Sequence, residues 1–150
     1  MADLLMGHRV KELSRRYFME GVKSSNKLIA ADFEGRHVPE TPRAQRRETN
    51  QDDSGNYIYQ IRAEFEETGK AGGRKFAKFL LALRADIRAG NCAEMCLVSA
   101  FLAEEYEHVP RNQIYYASLG QPSDHAFCVI SDAEIPPAMH RAPITLVPYA

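Results

Sequence analysis

Past Pro110 the apolar residues change period, and that change confines the chain to a narrow set of folds. Upstream, Phe76, Phe79, Leu80, Leu83 and Ile87 recur at helical spacing and predict a helix over 74–88. Met95, Leu97, Val98, Phe101 and Leu102 predict a second helix, from Cys92 to about His108, which Pro110 stops. Downstream, residues 114–118, 125–130 and 144–147 are short runs rich in β-formers. A turn at Gly120-Gln121-Pro122-Ser123 and a loop over 131–142 with Pro136-Pro137 separate them. Helices first and an antiparallel meander last define an α+β domain, with a central Cys-bearing helix packed on a small sheet.

The start of that central helix is the most sharply specified point. In Gly90-Asn91-Cys92-Ala93-Glu94, Asn91 is a strong N-cap and Glu94 stands where a capping-box glutamate reaches back to the N-cap N–H. Gly90 is placed as the C′ residue of the preceding helix. Cys92 therefore falls on the first helical position, beside unpaired N–H groups and the positive end of the helix dipole, which favour a thiolate.

The N-terminal part is simpler. Residues 2–31 carry Leu5, Val10, Leu13, Tyr17, Phe18 and Val22 at helical spacing with basic residues between them, as in an amphipathic helix docked on a core. Residues 34–56 hold almost no large apolar side chain, and their polar, proline-containing composition predicts a flexible linker. Tyr57, Ile58, Ile61 and Phe65 share one helical face. Gly72-Gly73 lacks the pattern of a phosphate-binding loop. The expected organisation is a helical arm over 1–33, a linker over 34–56 and a core over 57–150.

With 150 residues, 45% hydrophobic, and a net charge of −1, the chain suits one soluble domain and offers no basic excess for nucleic acid. Its apolar runs are too short to span a bilayer, and no signal peptide is evident, so synthesis in the cytoplasm is expected, with signal-independent secretion left open. Three cysteines, all in the last 60 residues and embedded in apolar segments, argue for free thiols rather than a disulfide framework.

Two residues could carry chemistry together. Cys92 opens a helix and His125 opens a strand 33 residues on. A cysteine nucleophile needs a base within hydrogen-bond reach and a third group to orient that base. Zinc is disfavoured, because His125 and Cys128 have opposite strand parity and cannot both face one metal with Cys92 and Cys96. Cys96 and Cys128 fit core positions, and His8, His37, His108 and His140 fit surface ones. No cofactor is expected.

Gly-Asn-Cys-Ala-Glu opening a helix, followed by Asp-His-Ala-Phe-Cys-Val-Ile on a strand, resembles the papain-like and transglutaminase-like cysteine hydrolases. The resemblance is greatest to their compact forms in bacterial toxins and secreted effectors, including glutamine deamidases, and covers residues 88–150. It implies acyl transfer from an amide of a protein substrate, in effectors a host or target-cell protein, by proteolysis, deamidation or transglutamination. It implies Cys92 as nucleophile and His125 as base; apart from the resemblance, Asn91 and Tyr149 are candidate orienting or oxyanion residues, Tyr149 if the register of the last strand brings it to His125. The sequence departs from the family pattern at Val147, which precedes Pro148-Tyr149 where an aspartate is expected. Related domains also continue past this strand, so on the resemblance the chain would be shortened. The alternatives are an impaired relative that binds a protein through the same cleft, and a helical adaptor with a small sheet. Oligomeric state is not legible.

Overall fold

Helix α4 (Cys92–Glu105) is the most enclosed helix, with Glu94, Cys96, Val98, Ala100, Leu102 and Ala103 buried on more than one of its sides. A helix apolar all round must be enclosed by other elements, and the rest of the molecule encloses this one. The computed structural model describes residues 4–19, 42–84, 87–120, 125–133, 139–141 and 144–149. Within them, α1 (Leu4–Met19), α2 (Pro42–Glu67) and α3 (Gly73–Ala82) precede α4. A 3₁₀ turn at Arg111–Gln113 then leads into β1 (Ile114–Leu119), β2 (His125–Ile130), β3 (Met139–Arg141) and β4 (Ile144–Pro148). The architecture is α+β, and no described helix is long and apolar enough to cross a membrane.

Two apolar clusters meet at α4. On one side Ile58 and Ile61 of α2 and Leu80 of α3 join Leu83, Ala89, Val98 and Leu102. On the other, Met6 and Val10 of α1, Ile114 and Tyr149 close on Ala100 and Ala103. The deepest α4 positions are thus mostly small residues, which let α1 and the sheet approach its backbone, while Met95, Leu97 and Phe101 sit half-buried at the edges. In α1 the inward face is Met6, Val10 and Ser14, whereas Leu5, expected inside, is 71% exposed. Arg9 fastens α1 to the far end of α4 through a two-pronged ion pair with Glu107, at 2.8 and 2.5 Å.

The antiparallel sheet has the order β2-β1-β4-β3. This corrects the expected meander: β1 is central, β2 and β4 flank it, and β3 adds to β4 from within the segment expected to be loop. The register pairs Ile114 with Ile130, Tyr116 with Cys128 and Val147, and Leu119 with His125 and Ile144. Directly opposed residues share a face. Ile114, Cys128 and Ile130 belong to the cluster around α4, so the α4-facing set is 114, 116, 118, 126, 128 and 130. Tyr115, Ala117, Val129 and Leu146 form a separate cluster on the other face.

Helix bounds differ from expectation at three places. Residues 42–56, expected as linker, are the first half of α2. Pro42 suits the first helical position, and Ala44, Gln45, Arg46, Arg47 and Glu48 are good helix formers, so the polar stretch can be helical without an apolar stripe. Residues 20–41, which hold the rest of the expected arm and linker, lie outside the described residues. Helix α3 ends at Ala82, not Arg88: Leu83 turns extended (φ −67°, ψ 145°) while its N–H still bonds the Leu80 carbonyl. The Leu83 carbonyl is then taken by Arg88 Nε at 3.0 Å, and Arg88 lies 4.3 Å from the Tyr17 ring centroid. Ile87 still packs on the same cluster, so the periodicity reported burial correctly across a break in the helix.

Helix α4 stops at Glu105, where the chain turns through His108 in the left-handed region (φ 55°) and the Val109 N–H reaches the Ala103 carbonyl at 3.0 Å. A side chain costs free energy there that glycine avoids. His108→Gly is expected to be neutral or to raise the melting temperature by a few degrees, on the order of 1 kcal/mol; thermal denaturation checks it.

Glu104 ties three elements together, accepting from Arg74 at 2.8 Å and pairing with Arg111, while Arg74 also reaches Glu105. Burial alone would raise the Glu104 carboxyl, but Arg111 and Arg74 outweigh it and hold it below the usual range. The resulting stabilisation is present above the ordinary glutamate pKa and is lost as pH falls through the lowered one. Glu104→Gln should therefore lower stability near neutral pH and converge with the wild type in acid, as read from melting temperatures along a pH series.

Candidate active site

The loop before α4 delivers the thiol. Asn91 is the N-cap in extended conformation, its N–H donates to Glu94 Oε2 at 2.9 Å, and its side chain completes the capping box. Glu94 is 1% exposed and accepts two further bonds at Oε1, from Arg62 Nε at 2.8 Å and Nη2 at 2.6 Å. The first turn of α4 is thus locked by its own cap and by a guanidinium from α2. Cys92 is held half-buried at the first helical position.

Cys92 and His125 line one cavity of about 480 Å³ between α1, the N-terminal half of α4, and β2. That is within the range of roughly 300–1,000 Å³ typical of ligand pockets. The structure brings the two residues to a common space but makes no hydrogen bond between them. Strand parity gives the reason. His125 is opposed by Leu119 and shares its face with Phe127, whose ring is 6.2 Å away, centroid to centroid. That face is turned away from α4, so the exposed imidazole stands at the cavity's rim.

The residues proposed to assist are placed elsewhere. Tyr149 joins the sheet beside Ile114, with its N–H on the Ile114 carbonyl. His125 lies at the opposite end of the sheet, beside Leu119. Five residues of β1 separate these ends, about 17 Å, and β1 itself stands between β4 and β2. Tyr149 therefore cannot orient His125. Its hydroxyl is buried without a hydrogen-bond partner, and burial, then Glu104, pushes its ionisation upward. Tyr149→Phe is expected to raise stability by about 1 kcal/mol and to leave Cys92 alkylation unchanged, as checked by denaturant titration and labelling. Asn91 is committed to the cap. Val147 faces Tyr116 across the sheet, and the described residues opposing His125 are Leu119 and, one strand further, Ile144. Asp124 lies outside the described residues.

Burial raises two of the three thiols. It pushes Cys96 strongly upward, with Cys128 adding to the effect, and pushes Cys128 up to about 12. Both remain thiols at neutral pH. Among the described residues, no group of three or more His, Cys, Asp or Glu side chains is arranged to hold a metal ion.

Four residues around the site were not legible in the sequence. Tyr116 faces α4, its phenol raised by burial first and then by Cys96, Cys92 and Glu94. Lys11 and Arg15 of α1 line the cavity, although their charges predicted only a solvated face. Arg62 secures Glu94 across 32 residues of sequence. Their common signal, a charged or polar residue next to an apolar helical stripe, does not distinguish them from ordinary surface. No family model, no curated protein and no solved structure matches this chain.

Proposed function

We propose that the protein is a thiol-dependent acyl-transfer enzyme acting on an amide of a protein substrate, with Cys92 as nucleophile and His125 as proton carrier. One observation carries the reading: a cysteine at the capped start of a central helix and a histidine 33 residues later open into the same cavity. The Cys92 thiol passes its proton to His125 as the sulfur attacks the amide carbon and forms a C–S bond. The carbonyl oxygen takes the negative charge, which N–H groups of the first α4 turn left unpaired by the helix stabilise in this reading. Collapse breaks the C–N bond, with the departing nitrogen protonated by His125. Water then hydrolyses the thioester, or an amine displaces the thiol. The products are a carboxylate in proteolysis or deamidation and a new amide in transglutamination.

A second reading follows from the missing Cys92–His125 hydrogen bond and from the apolar neighbours of His125 on the sheet. On this reading the cavity binds a protein segment without turning it over. Incubation of wild-type and Cys92→Ala protein with glutamine-rich proteins, followed by peptide mapping, separates the two. Conversion of glutamine to glutamate, cross-linking or cleavage that depends on Cys92 supports the enzyme. Unchanged substrates with retained binding support the binding module.

A further inference from the structure

The cavity's shape and charge define what enters it. Consecutive residues His125, Ala126, Phe127 and Cys128 all line it, although their side chains alternate between the two faces of the sheet. Both parities can line one space only if that space runs along the strand's edge. In the order β2-β1-β4-β3, β2 is an edge strand among the described strands, so one row of its N–H and C=O groups has no neighbouring described strand to pair with, and four consecutive β2 residues line the cavity. The facing wall is α1, from Leu4 to Arg15.

The dimensions suit a single extended chain. The α1 wall rises about 17 Å over its length, and β2 extends about the same distance. A space of about 480 Å³ lies between two walls of that length, long enough for an extended segment of about five residues. The charge is one-sided. Among the described residues Lys11 and Arg15 line the groove and no carboxylate does; both pair with Glu12, at 3.8 and 3.4 Å, so two cations share one carboxylate and an excess of one positive charge remains.

We propose that this groove takes an extended acidic peptide segment, which adds as a strand along the edge of β2 with its carboxylates toward Lys11 and Arg15. Main-chain hydrogen bonds to β2 supply sequence-tolerant affinity, and the α1 cations select for acid, as in other strand-addition sites. The Cys92 end of the groove then receives the segment's reacting side chain or peptide bond, so this inference rests on the reading above only for the identity of the reacting thiol.

The test uses full-length Cys92→Ala protein, in which chemistry is silenced and binding alone is read. A synthetic pool of short peptides of randomised sequence is incubated with it, and the bound fraction is sequenced by mass spectrometry. Aspartate and glutamate should be enriched about fivefold and proline depleted. The acidic enrichment should vanish in the Lys11→Ala/Arg15→Ala variant. Amide hydrogen exchange should slow across residues 125–130 when the pool is bound. Equal capture of basic and acidic peptides overturns the charge selection, and unchanged exchange in β2 overturns strand addition. Slowed exchange with self-association and no peptide bound assigns the edge to a second copy and also overturns it. None of these outcomes bears on Cys92 reactivity, which alkylation of the wild-type protein reads separately.

Discussion

Arg62→Ala is expected to destabilise the protein by about 3 kcal/mol, or about 10 °C in melting temperature. The asymmetry of the pair sets this size. The Glu94 side chain is only 2% exposed, whereas that of Arg62 is 49% exposed. Removing Arg62 leaves a carboxylate in the interior with little beyond the Asn91 N–H to satisfy it, and an uncompensated buried charge is far costlier than the pair was worth. Glu94→Gln behaves differently. The amide oxygen still accepts from Asn91, and the released guanidinium rehydrates at the surface, so a smaller loss of about 1–2 kcal/mol is expected. The double variant should cost less than the sum of the two, because the neutral amide introduced by Glu94→Gln needs no counter-charge. Denaturant unfolding of the four proteins reads the coupling. Additive losses would mean that the two side chains do not share one interaction.

Cys92→Ala has the larger effect on function. Loss of a nucleophile that acts with its base as a unit typically costs about 10⁴–10⁶-fold in turnover. Alanine suits the first helical position, and Asn91 and Glu94 still cap the helix, so circular dichroism should be unchanged. Cys96→Ala and Cys128→Ala remove a buried and a half-buried thiol to which the proposed reaction gives no role. Turnover should stay within about tenfold of wild type in these variants, their cost appearing in stability as lost packing.

The sequence was most legible where structure is local. Asn91 and Glu94 mark a cap that needs only four residues to form, and the structure starts α4 at Cys92 as the spacing requires. The runs at 114–118, 125–130 and 144–147 became strands within one residue at each end. Legibility failed where burial or pairing is set from a distance. The stretch from Pro42 to Asn56 has no apolar stripe, so periodicity is silent on it, and helix propensity was the better guide. The position of β1 between β2 and β4 is a pairing choice, and it moved Tyr149 to the end of the sheet remote from His125. Parity was readable for Cys128 against His125, and the same rule places the imidazole on the face away from α4. Its access to the Cys92 cavity depends on β2 being an edge, which strand order alone determines.

The central claim is that Cys92, and not its two neighbours, is the reacting thiol. Alkylation of the native protein with iodoacetamide near neutral pH, quenched at intervals and mapped by peptide mass, measures it directly. Burial raises the Cys96 and Cys128 thiols and keeps them protonated, although Cys128 is half-buried like Cys92 and lines the same cavity, so Cys92 should be labelled at least about a hundredfold faster than either. Its rate should fall in His125→Ala. Labelling of Cys92 no faster than Cys96 or Cys128 would contradict the account.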